Sequence, residues 1–246
     1  MKFIIHRLET CASTNDAARG LAADGAPDGT VVVADEQTAG RGTKGRVWHS
    51  AKGLGLYVSI LLRPASPQDV PLLPLAAGLA ARDAVEASHG LAARLRWPND
   101  ILFEGRKLGG VLCESVFAGG RPEFAILGIG LNINHAPADF PADLRDTAVS
   151  LALALGRPAD PALVFDALIA AVDRRLAVLA RGDGSALIRS FNARSALRPG
   201  DPILVSFDGP PVPFAYEGIG PDGALLVRDA AGALLRFASA EVRKVL

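Results

Sequence analysis

The sequence predicts an α/β (α+β) protein: a mixed β-sheet backed by helices on one face, with a small β-barrel at the C-terminal end. Three observations predict it. β-rich runs and alanine-rich segments of helical period interleave through residues 1–192. The run "FAILGIGLNIN" at 124–134 alternates between two unlike faces, as a strand does. Across 195–246 the helical pattern stops, and turn signals recur with short β-rich runs between them. Residues 1–192 are therefore read as one domain and 195–246 as a second, joined by a linker within 192–197.

The elements follow in order. "STNDAARGLAADG" reads as a helix capped by Ser13 or Thr14 and stopped at Gly25. "TVVVADEQ" is a β-branched strand. "GLYVSILLRP" is another, with Leu56, Val58, Ile60 and Leu62 on one face and Pro64 ending it. Residues 72–89 form an alanine-rich helix stopped by Gly90. "ILFEGRKLGGVLCESVF" is a hairpin turning at Glu104, Gly105 and Arg106. In "FAILGIGLNIN", Ala125, Leu127, Ile129, Leu131 and Ile133 form the core face. Gly128, Gly130, Asn132 and Asn134 form the other, which lacks bulk, so something must approach its backbone closely. Residues 163–180 have the spacing of an amphipathic helix. Turns at Pro199-Gly200-Asp201, Asp208-Gly209-Pro210, Pro221-Asp222-Gly223 and Ala231-Gly232 divide the final β-rich part.

Composition narrows the function. Lys+Arg and Asp+Glu both number 26, so the chain is not shaped for bulk nucleic-acid binding and any anion site must be local. No nucleic-acid partner is expected. Cys11 and Cys113 have neither zinc spacing nor a disulfide framework, and no metal-ligating residues are assigned. The apolar run in "MKFIIHRLET" ends at His6 and Arg7, too short for a signal core. No stretch reaches the ~20 apolar residues of a membrane span. A cytoplasmic protein without membrane contact is expected.

Two strings suggest chemistry. "AGRGTKGR" (39–46) carries Arg41, Lys44 and Arg46 among glycines. It lacks the closing Gly-Lys-Ser/Thr of a phosphate-binding P-loop, and alone it fits a solvated turn as well as an anion cradle. "RWPNDILFEGRKLGG" (96–110) sets Asn99 and Asp100 before an apolar strand and Lys107 before two glycines. A lysine so placed fits either an ordinary surface position or a cleft free of bulky neighbours.

Taken together, "STND" (13–16), "EQTAGRGTKGRVW" (36–48), "GLYVSILLRP" (55–64), "LRWPNDILFEGRKLGG" (95–110) and "GIGLNIN" (128–134) resemble the biotin protein ligases. The resemblance implies a class II synthetase-like catalytic domain with a small SH3-like barrel. It implies that the biotin carboxylate attacks the α-phosphate of ATP, with Mg²⁺, to give biotinyl-5′-adenylate. A lysine of a biotin carboxyl carrier protein, of acetyl-CoA carboxylase or another biotin-dependent carboxylase, then displaces AMP. Ser13, Thr14, Asn15, Gln37, Gly40, Arg41, Lys107 and Gly110 match the biotin-binding positions. Arg46, Trp48, Asn99, Asp100, Lys107 and Asn132 match the nucleotide end. Lys107, Arg46 and Arg41 are the implied catalytic cations, and Asp100 is a candidate acceptor for the carrier lysine's proton. An exposed sheet edge, as in relatives that dimerise, implies a homodimer.

Two departures from the family pattern stand out. Thr43 occupies a loop position where relatives often carry an arginine associated with adenylate retention. "LETCASTND" begins within ten residues of Met1, so the repressor-type helix-turn-helix of some relatives is not expected. Two rival readings share part of the pattern: a lipoate or octanoate ligase or transferase, and a non-catalytic biotin sensor. "GRGTKGRVW" with "KLGG" argues against the first, and the presence of Arg46 and Lys107 against the second.

Overall fold

The computed structural model describes residues 1–206 and 209–244. Seven strands form a mixed sheet: β1 (Ile4–Cys11), β2 (Thr30–Gln37), β3 (Gly55–Leu62), β4 (Arg94–Arg96), β5 (Asp100–Phe103), β6 (Arg106–Ala118) and β7 (Arg121–Asn132). Their order is β1-β2-β3-β7-β6-β5-β4. Only β1 and β2 are parallel; the remaining pairs are antiparallel. The helices are α1 (Thr14–Ala23), α2 (Leu73–His89), α3 (Leu151–Leu155), α4 (Pro161–Ala180) and α5 (Gly184–Arg194).

Alanine-rich α2 has high helix propensity and stops at Gly90, whose φ of 70° no β-carbon opposes. It packs with α4 and α5 on the sheet face formed by Val58, Ile60, Leu127 and Ile129. The single-faced backing expected from sequence is incomplete, however. Helix α1 lies on the opposite face, where Ala18 and Ala22 meet Val32, Leu61, Phe124 and Ile126. Its buried residues are small, so it sits close to the strands. Ser13 occupies the N-cap position, but its side chain makes no capping bond.

The hairpin turns through Glu104 and Gly105 alone, at φ 48° and 78°, because Arg106 already pairs with Phe103. A register shift between Ile101 and Leu102 bulges the ladder where Lys107 begins. Strand β1 was not anticipated from the sequence: it is a mostly exposed edge strand, so no burial pattern announces it. Helix α5 was also missed, and it reaches into the segment expected as a linker. There Asn192 exchanges hydrogen bonds with Ile219, and Ala196 N–H donates to Leu95 O at 2.7 Å.

The C-terminal part is a five-stranded antiparallel sheet of β8 (Pro202–Ser206), β9 (Val212–Ile219), β10 (Leu225–Arg228), β11 (Leu234–Phe237) and β12 (Glu241–Lys244). Its order is β11-β10-β9-β8-β12, and among the described residues its ends do not pair to close a barrel. Of the expected turn at 208–210, Asp208 lies outside the described residues. Buried Ile203, Val205, Tyr216 and Val227 join the same apolar cluster as the first sheet. The Trp97 indole adds a hydrogen bond across the boundary, to Gly223 O at 2.9 Å.

Candidate active site

One face of β7 organises the site. Residues two apart on a strand point the same way about 6.6–6.8 Å apart. Phe124 and Ile126 lie under α1. Gly128 comes next, and a β-carbon there would stand 2.3 Å from Asn15 Oδ1. At Gly130 it would stand 2.7 Å from the Trp48 ring. Asn132 ends the row, donating to Val149 O at 3.0 Å and Lys107 O at 3.3 Å. The close approach expected from the Gly/Asn alternation is therefore present, made by Asn15 and Trp48.

Over Gly128 lies a buried polar chain. Gln37 Oε1 accepts from Thr14 N at 2.8 Å and lies 3.0 Å from Thr14 Oγ1. Gln37 Nε2 donates to Ser50 Oγ at 2.8 Å, and Ser50 donates to Trp48 O. Ser59 Oγ lies 2.7 Å from Thr14 Oγ1 and 2.6 Å from Asn15 Oδ1. Ser13, Thr14 and Asn15 are all buried beside it. The Trp48 backbone N–H donates to Gly40 O at 2.9 Å, so Gly40 belongs to the same wall.

Beyond Trp48 lies a pocket of about 80 Å³ lined by Trp48, Lys107, Asn132, Phe140, Leu144 and Thr147, among others. Lys107 Nζ stands 5.5 Å from the Trp48 ring centroid, a cation–π distance, and its side chain runs over Gly110. The ammonium pairs with Asp100 Oδ1 at 2.6 Å, and Arg96 donates to Asp100 Oδ2 at 2.6 and 3.1 Å. Burial pushes the Asp100 carboxyl up, but Lys107 and Arg96 outweigh it and hold it below its ordinary value. Asn99 uses its side-chain amide on Val111 O at 2.9 Å, which fastens the turn before Asp100.

The loop arginines stand apart from Lys107. Arg41 binds Asp16 through both terminal nitrogens, at 2.5 and 2.8 Å, and lies 3.4–3.5 Å from Glu114. Its bond holds the Asp16 carboxyl below its usual value, with partial burial opposing. Arg46 is 57% exposed and pairs with Glu241 of β12 at 3.4 Å while donating to Thr43 of its own loop. The structure thus gathers Lys107, Asp100, Trp48, Gly110 and Asn132 in one cluster and Thr14, Asn15, Gln37 and Arg41 in a neighbouring one. It does not bring Arg46 to Lys107.

Sequence reasoning missed Ser59, Ser50, Arg96 and Glu114. Only Ser59 carried a signal, as a hydroxyl inside the otherwise apolar run "GLYVSILL".

The model of the biotin/lipoate A/B protein ligase family matches residues 8–132, half of the chain, and spans both clusters apart from the Thr147 side of the pocket. The chain belongs to that family. As a member of the biotin/lipoate A/B protein ligase family, it resembles named proteins over different lengths. It is 36% identical over 224 residues to the biotin–[acetyl-CoA-carboxylase] ligase of Paracoccus denitrificans, covering 89% of this chain and 92% of that one. It is 43% identical over 168 residues to the bifunctional ligase/repressor BirA of Bacillus subtilis, covering 68% of this chain. It spans about half (52%) of that longer relative. The biotin protein ligase of Aquifex aeolicus, solved with biotin and ATP, superposes with a TM-score of 0.86 at 27% identity, covering 100% of both chains.

Proposed function

We propose that this family member is an ATP-dependent biotin ligase that biotinylates a lysine of a biotin carboxyl carrier protein through biotinyl-5′-adenylate. The observation that carries the reading is a salt-bridged lysine, Lys107, bordering an aromatic-walled pocket whose Trp48 wall continues into the buried polar chain of Thr14, Asn15 and Gln37. The polar chain suits the ureido ring, a neutral group with donors and an acceptor. The Trp48–Asn132 pocket suits the nucleotide. Lys107 then stands where the carboxylate and α-phosphate meet.

In the first step a biotin carboxylate oxygen bonds to the α-phosphorus and pyrophosphate leaves. Two anions must approach, so a fixed cation lowers the repulsion and stabilises charge developing in the transition state. Lys107 supplies that cation, and Asp100 and Arg96 hold it in place. Arg41 and Arg46 contribute when the loop folds over the phosphates and shields the adenylate from water. In the second step the carrier lysine's neutral amine attacks the anhydride carbonyl, the acyl–phosphate bond breaks to release AMP, and the nitrogen's proton passes to solvent. Free lysine has a pKa of about 10.4, so docking at high effective concentration does most of this work. A carboxylate held low by two cations is a weak proton acceptor, so Asp100 is assigned to positioning Lys107 instead of the base role.

Among the described residues no group of three or more His, Cys, Asp or Glu forms a metal site. Mg²⁺ would enter as the ATP complex, where it would offset the charge of the phosphates. Residues 1–192 carry these groups, and 195–246 form an accessory unit. The outer edge of β1 offers unpaired backbone for a second copy, which supports a homodimer. The neutral net charge supports no nucleic-acid role. No described helix is long and apolar enough to cross a membrane. Two free cysteines fit a reducing cytoplasm.

The test is to incubate the chain with MgATP, a biotin carrier domain, and biotin, lipoate or octanoate in separate arms. Mass spectrometry should show one biotinyl group on the carrier and no transfer in the other arms. Lipoyl or octanoyl transfer without biotinylation would establish the rival reading.

A further inference from the structure

Glu114 lies on β6 outside the motifs that carry the family resemblance, yet it collects several donors from the site. Its Oε2 accepts from Asn15 Nδ2 at 2.7 Å. Its Oε1 pairs with Arg19 at 3.1 Å, and Arg41 Nη2 stands 3.4 and 3.5 Å from its two oxygens. Arg19 and Arg41 flank a carboxylate, and a carboxylate only accepts. The Asn15 atom that faces it must therefore be the amide nitrogen.

That orientation has a consequence two residues further along the chain of bonds. With the nitrogen turned to Glu114, Asn15 presents its oxygen to Ser59 Oγ at 2.6 Å. Ser59 has one proton and commits it to Asn15. Its remaining lone pairs face Thr14 Oγ1, 2.7 Å away. Ser59 is fully buried between these two partners. The single Thr14 hydroxyl proton is then drawn toward Ser59 and away from Gln37 Oε1, 3.0 Å off, while the Gln37 amide itself is held by the Thr14 backbone N–H. An asparagine amide is nearly symmetric in shape, so packing alone does not choose its direction. Its acceptors do: Glu114 Oε2 at 2.7 Å chiefly, with Leu112 O at a long 3.5 Å.

We propose that Glu114 is a positioning residue for the biotin slot, its charge fixing the Asn15 amide and, through Ser59, the direction in which the Thr14 hydroxyl faces the ureido ring. The proposal rests on the biotin reading of that slot. A ureido ring carries two donors and one acceptor in fixed places, so a reversed chain would meet it with the wrong partners. The Thr14 hydroxyl thus takes its direction chiefly from a carboxylate that need not touch the substrate.

Glu114→Gln tests this, because glutamine keeps the size but removes the charge and replaces one acceptor oxygen by an NH₂, so the Asn15 direction is no longer enforced. Glu114→Asp keeps the charge and serves as the rescue variant. The readouts are direct biotin binding by calorimetry, KM for biotin and for ATP in pyrophosphate exchange, and melting temperature. Misdirected buried hydrogen bonds should weaken biotin binding about tenfold or more. The KM for ATP and the melting temperature should move little, and Glu114→Asp should recover most of the loss. In a Ser59→Ala background, where the chain is already cut, Glu114→Gln should cost clearly less than in the parent. Equal biotin binding by parent and Glu114→Gln, or equal losses for biotin and ATP, would overturn the positioning role while leaving the ligase reading intact. A parent chain that binds no biotin would overturn both.

Discussion

Lys107 and Arg46 carry the same charge and are assigned to the same reaction, yet the protein holds them in opposite ways. Lys107 is built into the ladder: its N–H donates to Thr147 O at 2.7 Å and its carbonyl accepts from Val149 at 2.9 Å. Its ammonium sits on a carboxylate that Arg96 also grips. Arg46 hangs from a loop whose turn spans only Thr43–Gly45, and its partner belongs to the C-terminal sheet. An exposed pair of that kind contributes about 0–1 kcal/mol and exchanges readily. The difference teaches that one cation is fixed by the strand and its buried partners, whereas Arg46 is held only by an exposed pair that a ligand can exchange.

The largest test of that contrast is Lys107→Gln. Losing a placed electrostatic donor costs about 10²–10³ in rate, so biotin-dependent exchange of labelled pyrophosphate into ATP should fall by at least that much. Transfer from supplied biotinyl-adenylate should fall less, because the anhydride is already made. Sequence alone suggests a surface lysine of little weight in folding. The Asp100 bridge changes that expectation, since the substitution leaves a buried carboxylate with Arg96 alone, and a lowered melting temperature should accompany the loss. Full exchange activity in Lys107→Gln would place Lys107 with the ordinary surface lysines.

Asp100→Asn sharpens the contrast through pH. The folded carboxyl lies below its ordinary value, so its stabilisation is complete above the unfolded pKa of about 3.9. It is lost as pH falls through the lower folded value. Denaturant titrations should therefore show the parent losing stability below about pH 4. The variant should be less stable at neutral pH, by about 2 kcal/mol, and flatter across that acid range. Parallel curves for the two proteins would remove Asp100 from the network.

Next come the two glycines of β7. Gly128→Ala drives a methyl into Asn15, and Gly130→Ala drives one into Trp48. Each should cost about 1–3 kcal/mol of stability by overpacking. The first should raise KM chiefly for biotin and the second chiefly for ATP, about tenfold each by the same energy scale. Identical effects on both substrates would mean that the two clusters form a single slot.

The smallest effect is expected at Thr43. Its hydroxyl accepts a long bond from Arg46, at 3.4 Å, and offers none of the forked donors of an arginine. Thr43→Arg should slow release of biotinyl-adenylate severalfold, measured by rapid dilution, while adenylation changes little. Unchanged release would show that this position does not govern retention here.

Much of this was legible in the chain. The alternation in "FAILGIGLNIN" announced both a core face and a face stripped of side chains, because strand geometry sends alternate residues to opposite sides whatever their neighbours. Gly90, Gly105 and the alanines of α2 marked their stop, turn and helix through local backbone preference alone. Strand β1 was not legible, since an exposed edge needs no apolar period.

What the sequence by itself determined was most local conformations, those with an apolar period or a turn glycine, and the set of residue types available for anion and ureido chemistry. Only the tertiary structure decided who meets whom. Glu114 reaches Asn15 from 99 residues away, Ser59 reaches it from 44, and Arg46 finds Glu241 across 195. Those meetings follow from strand order and from α1 lying on the site face. Hydrogen bonds act over about 3 Å and leave no periodic trace along the chain, so burial patterns foretell a strand but not the partner of a polar atom on it.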